Sequence, residues 1–304
     1  DFTSEEARKT MNLLMDNQFS QAQLGALFLV MRKKTMTSEE FDTFLDAWHT
    51  KYPPGKCVPS SLLLGNPFDG KKRSLPMSLF AAIILEQVGH PVFVGGTEGL
   101  GPKYGLGGGE VLASLKESCG TKLSLFPKYW DQDELFPFCK EVKEARNQIG
   151  LRSFLHTIEK CVNPFGAENA ILTLHHQPYI ERFVNYAQKN FKCSLLFFGD
   201  EGAADLGLRK AHQAIRVRGD QIEESQVDAK DFALEELKSE YSCTMEDCLK
   251  FWQKALIEGS SKELNWLKVH VALLLYALGK GSSVESLMDE ASSSIETAAK
   301  GLNS

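Results

Sequence analysis

Residues 65–78 read Gly-Asn-Pro-Phe-Asp-Gly-Lys-Lys-Arg-Ser-Leu-Pro-Met-Ser and set three consecutive cations in a turn-rich loop. An apolar run at 62–64 precedes this loop, and a helix-like run at 79–88 follows it. A strand, a loop and a helix start in that order bring backbone N–H groups and the helix dipole to an anion, and the cations add charge. Gly65, Asp69, Gly70, Lys71, Lys72, Arg73 and Ser78 are therefore candidate phosphate ligands. A second candidate is the run Gly107, Gly108 and Gly109 ahead of a helix, with Lys103 nearby. Such a run can form an anion-binding nest, a plain turn being the alternative. His175-His176 follows a strand, has no third ligand at metal spacing, and reads as a strand-end pair. Ser, His and Asp residues show no nucleophile-elbow pattern. The seven cysteines are scattered without a C-x-x-C pair, so neither a zinc site nor a disulfide framework is expected.

The elements that must hold these loops follow from composition and pattern. At 304 residues and 43% hydrophobic, the chain can form one large domain, or one large and one small. No apolar run has the length of a membrane span. The opening Asp1-Phe2-Thr3-Ser4-Glu5-Glu6 reads as a helix start, not a leader, although a chain trimmed from a longer precursor is compatible with it. Unpaired thiols point to a reduced intracellular, soluble setting, with cytoplasm and plastid stroma both open. The net charge of −6 disfavours nucleic acid, yet the excess acid lies beyond residue 160. Cations bunch at Arg32-Lys33-Lys34, Lys51, Lys56 and the 71–73 loop, which allows a local basic face.

Three short helices are expected at the start: about 3–15, 20–31 and 37–51, closed by Pro53-Pro54-Gly55. Apolar runs at 62–64, 91–94, 170–174 and 194–198 then read as strands. Helical patterns occupy 78–88, 109–117, 178–189 and about 263–278. The expected fold is α/β: a small helical domain over 1–58, joined by helices from about 131–162, and a large domain over 59–304 with a mainly parallel sheet flanked by helices. Trp48, Trp130, Trp252 and Trp266 look like packing anchors. The acid-rich run 223–240 reads as solvated surface, and the tail from 282 as a terminal helix.

These loops resemble those of the anthranilate phosphoribosyltransferases, a glycosyltransferase family sharing its fold with pyrimidine nucleoside phosphorylases. The resemblance spans essentially the whole chain. Residues 65–78 resemble the family's G-T-G-G-D-G-K…N-x-S-T segment, which holds phosphoribosyl pyrophosphate; Asp69, Gly70 and Lys71 match, and Ser78 keeps a hydroxyl. Asn66, Pro67 and Phe68 replace the small Thr-Gly-Gly. Residues 105–112 resemble the S-G-S-A-D-V-L helix start. Residues 145–153 resemble the R-x-x-L-G-x-R-T block, followed by Asn163-Pro164. By that resemblance Arg146 faces an aromatic acid's carboxylate, and His156, standing for an asparagine, lines the cleft. Val94-Gly95-Gly96-Thr97 replaces the K-H-G-N substrate contact. Residues 199–205 resemble the H-G-x-D-G-x-D-E magnesium segment, where Ala204 replaces one carboxylate and Asp205, with Glu201, remains.

What the resemblance implies divides in two. One expectation is a homodimer that binds phosphate-containing ligands or single-stranded DNA or RNA without tryptophan-pathway turnover. It follows a divergent branch sharing the spacing of Arg146, Gly150, Arg152, His156 and Thr157. The alternative is an active phosphoribosyltransferase using phosphoribosyl pyrophosphate and Mg²⁺, with anthranilate or a related acceptor. A third possibility is a pseudoenzyme that senses a phosphorylated metabolite or scaffolds a partner.

Overall fold

The computed structural model describes residues 1–120, 125–234 and 241–303. The first three helices are α1 (Ser4–Met15), α2 (Gln21–Lys34) and α3 (Ser38–Lys51). Each begins with a reciprocal capping box: Thr3 with Glu6, Ser20 with Gln23, and Thr37 with Glu40. A hydroxyl and a carboxylate or amide three residues apart satisfy two otherwise orphaned N–H groups, which is why the boundaries were readable in sequence.

Among the described residues, seven strands form one sheet: β1 (Val58–Gly65), β2 (Val92–Gly96), β3 (Lys128–Asp131), β4 (Ala167–Thr173), β5 (Cys193–Phe197), β6 (His212–Arg218) and β7 (Gln221–Val227). Their order is β3-β2-β1-β4-β5-β6-β7. The first five pair in parallel, whereas β6 and β7 are antiparallel. The expectation of a mainly parallel sheet holds, but β3, β6 and β7 were not anticipated. β3 is only four residues long, and β7 is an edge strand exposed from Gln221 to Gln226 except at half-buried Glu223. A polar, solvated edge carries no apolar run for a reader to find. Residues 235–240 of the acid-rich run lie outside the described residues.

Alternation along the strands feeds two cores. Leu62, Leu64, Ile171 and Leu195 point to one face, against α4 (Met77–Gln87), α10 (Met245–Leu256) and α11 (Ser261–Ala277). Leu63, Ala170, Leu172 and Leu196 point to the other, with α1 to α3, α7 (Pro137–Ile149) and α9 (Ile180–Asn190). Between these helices in chain order lie α5 (Gly108–Cys119), α6 (Gln132–Leu135) and α8 (Leu155–Ile158), and α12 (Met288–Asn303) closes the chain. All four tryptophans are buried. Leu14, Leu24 and Phe28 of the first helices are buried in the chain's own core, and Leu13 is half-buried. Among the described residues, no helix is long and apolar enough to cross a membrane.

The strand order fixes where a site can form. The chain leaves β1 toward β2 and β3, then returns to β4 on the other side of β1. Connections diverge at that point, leaving a crevice beyond the carboxyl ends of β1 and β4.

Candidate functional site: a basic cavity beside a self-filled anion nest

A cavity of about 510 Å³ opens at this switch point. Pro67, Phe68 and Asp69 reach it from the end of β1, and Thr173, Leu174, His175 and His176 from the end of β4. Met31, Arg32, Thr35 and Met36 close it from the helical side. A depression of about 260 Å³ shares Arg32, Arg152 and His175 with the cavity and extends to Arg73, Lys103 and Glu201.

The cationic loop does present its backbone N–H groups, but the chain itself supplies the anion. The Glu201 carboxylate accepts the N–H of Lys72 at 3.1 Å, Arg73 at 2.8 Å and Ser74 at 3.2 Å. Lys103 Nζ and Arg73 Nε lie 3.9 and 3.8 Å from the same carboxylate, which is buried. To reach the nest, Glu201 adopts a left-handed φ of 55°. Asp200 accepts the Ser74 hydroxyl at 2.6 Å. Asp205 pairs with the Lys71 ammonium through one oxygen and accepts the Ser78 N–H at 2.6 Å through the other. The acids of 200–205 thus complement the loop at 71–78, as a bound phosphate would.

These contacts revise several expectations. Lys71 is buried in its pair with Asp205, so only Lys72 and Arg73 of the three cations are exposed. Ser78 is fully buried and its Oγ accepts the Asn66 side-chain N–H at 3.2 Å, while Asn66 Oδ1 accepts the Ala204 N–H at 2.8 Å. Gly65 ends β1, where its carbonyl accepts the Thr173 hydroxyl at 2.6 Å. Gly70 has φ 71°, and a Cβ there would lie 2.5 Å from the Gly105 carbonyl oxygen, so only glycine fits this crossing of the two loops. The Gly107 N–H is taken by Glu110 in a capping contact at 2.9 Å. Gly108 and Gly109 open α5, and a Cβ at Gly109 would meet the Tyr129 ring at 2.7 Å. Those glycines cap and pack a helix, and Glu110 takes the first N–H of the run. Asp69 is held bidentately by Arg152 at 3.0 Å and approached by Lys103 at 3.5 Å. Burial lowers Lys103, with Asp69 opposing the shift.

Arg146 does not face the cleft. It is fully buried, with both terminal nitrogens on Glu159 and one also on His156 Nδ1 at 3.1 Å. A guanidinium so enclosed needs a carboxylate partner, and Glu159 supplies it. His156 does line the cavity, but both its nitrogens are engaged: Nδ1 accepts the Ser153 N–H, and Nε2 donates to the Gly101 carbonyl at 3.0 Å. Burial first, then Arg146, holds it well below the usual histidine range, so it is neutral.

Mg²⁺ does not fit the residues present. Both oxygens of Glu201 and of Asp205 are committed to N–H groups or to Lys71. Among the described residues, no three His, Cys, Asp or Glu side chains gather to hold a metal ion. The expected metal role of Glu201 and Asp205 is thus replaced by one of bracing the loop.

Three cavity residues were missed as ligand candidates: Arg152, Lys160 and Arg182. Lys160 Nζ donates to Thr173 Oγ1 at 2.9 Å and to the Gly202 carbonyl at 3.1 Å, and burial pushes it down to about 7. The signal for Arg182 was its place in the first turn of the helix after His175-His176, at a strand end beside the switch point.

Comparison with known proteins agrees with this architecture. The glycosyl transferase family helical bundle domain matches residues 1–49. An uncharacterized protein of Aquifex aeolicus is 26% identical over 94% of this chain and 90% of its own length. An anthranilate phosphoribosyltransferase of Persephonella marina is 22% identical over 77% of this chain and 72% of its own length. The crystal structure of anthranilate phosphoribosyltransferase from Thermus thermophilus superposes with a TM-score of 0.75, at 18% identity, covering 100% of this chain and 96% of that one. The chain is thus similar to anthranilate phosphoribosyltransferases in sequence and in fold. The Saccharomyces cerevisiae enzyme in complex with PRPP (phosphoribosyl pyrophosphate) and Mg has a TM-score of 0.73, at 13% identity, covering 99% of this chain and 92% of that one. The frame is shared with these proteins, and the Glu201 carboxylate sits where this chain's own first loop presents its amides.

Proposed function

We propose that this protein binds a phosphate-containing ligand in the switch-point cavity and does not carry out phosphoribosyl transfer. One observation carries the reading: the loop amides at 72–74 already hold the buried carboxylate of Glu201. A diphosphate would have to expel that carboxylate, and Asp205 is tied to Lys71 and Ser78 instead of standing free for Mg²⁺. Binding is supported by the arginines lining the cavity and the depression, Arg32, Arg73, Arg152 and Arg182, with exposed Lys72 next to Arg73 in the chain. A single-stranded nucleic acid backbone is the ligand form we favour, because these cations run from the loop to the cavity mouth. The homodimer implied by the resemblance belongs to the same proposal, with Leu29 and Val30 of α2 as its exposed apolar side chains. The same proposal divides the chain into a helical domain over 1–58, joined by helices from about 131–162, and an α/β domain over 59–304.

The test is fluorescence anisotropy of a labelled single-stranded oligonucleotide at about 50 and 200 mM salt, beside an assay of anthranilate with PRPP and Mg²⁺. Salt-sensitive binding without turnover is expected. Turnover that disappears in Asp205→Ala would overturn the reading in favour of an active transferase, which the likeness to the yeast enzyme supports.

A further inference from the structure

The cavity carries charge that the fold does not balance. Among the described residues its wall holds three arginines, Arg32, Arg152 and Arg182, together with Lys160, against one carboxylate, Asp69. Asp69 is already taken by Arg152. Lys160 is satisfied by neutral oxygens, and Arg32 Nη1 by the Arg152 carbonyl at 2.8 Å. Arg182 differs from these. Among the described residues its Nη1, enclosed by protein, has no hydrogen-bond partner, and the side chain lines the cavity from the first turn of α9. Its guanidinium lies 4.9 Å from the Tyr179 ring centre, and His176 packs against the same ring at 6.4 Å. Partial burial first, then Arg152 and Lys160, lowers His175 at the cavity mouth.

An arginine on the wall of a cavity of excess positive charge, with one guanidinium nitrogen left without an acceptor by the fold, lacks an anion. We propose that Arg182, its plane set by Tyr179 and His176, takes a phosphate group of the ligand, while the 72–74 nest filled by Glu201 takes none. The guanidinium fork suits phosphate oxygens, and Phe68, Phe154 and Met36 offer an apolar wall for the rest of the ligand. The inference deepens the phosphate-binding reading above and rests on it.

The experiment titrates wild type, Arg182→Gln and Arg182→Lys with a fluorescein-labelled single-stranded oligonucleotide of about 12 nucleotides, the span of one modest single-strand site. Inorganic pyrophosphate serves as competitor, and thermal melting checks the fold. Arg182→Gln should weaken binding about tenfold and lower the salt slope by about one. Arg182→Lys keeps the charge but loses the fork, so it should recover only part of the affinity; it also serves as the test if the glutamine variant melts early. Pyrophosphate binding that is lost in Arg182→Gln, without any oligonucleotide binding, supports the same subsite for a small phosphate ester. Equal affinity and salt slope in all three proteins would overturn the subsite and leave the cavity reading standing. Failure of wild type to bind oligonucleotide, pyrophosphate or PRPP would overturn both.

Discussion

The Glu201 carboxylate accepts the backbone N–H of Arg73 at 2.8 Å, the shortest of its contacts with successive loop amides. An anion nest with a resident anion is a folded-state contact, so its removal should be felt twice. Glu201→Gln keeps the shape but loses the charge, and should cost about 1.5–3 kcal/mol in denaturant unfolding. Glu201→Gly removes the carboxylate and suits the φ of 55°. In that variant, millimolar pyrophosphate should raise the melting temperature by more than it does in wild type. An equal response in wild type would mean that Glu201 does not fill the nest in solution.

Lys71 and Lys72 adjoin in sequence but should behave differently. Lys71 is buried against Asp205, so Lys71→Met strands a carboxylate and should destabilise by about 3–5 kcal/mol. Its replacement should leave the salt slope of oligonucleotide binding unchanged. Lys72→Gln and Arg73→Gln should each lower that slope by about one, with little change in melting. Anisotropy over a salt series separates the two behaviours.

Arg146 makes a stability prediction, not a binding one. Arg146→Met leaves Glu159 unpaired in the core and should cost about 3–5 kcal/mol. Adding Glu159→Met should recover much of that loss. Ligand affinity per folded molecule should stay within about twofold, since 1.4 kcal/mol corresponds to tenfold. A selective loss of affinity at unchanged stability would return Arg146 to the site.

His270 predicts a pH dependence. Its Nδ1 donates to the Trp266 carbonyl at 2.9 Å, and its Nε2 accepts the Leu206 N–H at 2.9 Å, an arrangement that requires the neutral ring. Full burial lowers it to about 4, against 6.5 for an ordinary histidine. Between those values the unfolded chain binds the extra proton. The contribution is therefore complete above about pH 6.5 and is lost as pH falls toward 4. That loss amounts to about 3 kcal/mol. His270→Gln should flatten this limb of a stability profile measured by urea unfolding.

Local chemistry made much of this protein readable from its residues. The capping boxes at Thr3, Ser20 and Thr37 mark helix starts without outside help, and apolar runs such as 62–64 and 194–198 mark strands buried on both faces. The loop at 65–78 announced itself as an anion nest because cations, a glycine and a helix start are contiguous there. What fills that nest was not local. Glu201 and Asp205 lie about 130 residues away and reach the loop only because β5 ends in the turn that places them over the loop. Arg146 and Arg152 look alike in sequence six positions apart, yet one is sealed against Glu159 and the other opens on the cavity. Sequence determined that this chain has the parts of a phosphate site. Tertiary packing decided which parts were spent on the fold, because burying a charge requires a partner and the nearest partners were the site's own residues.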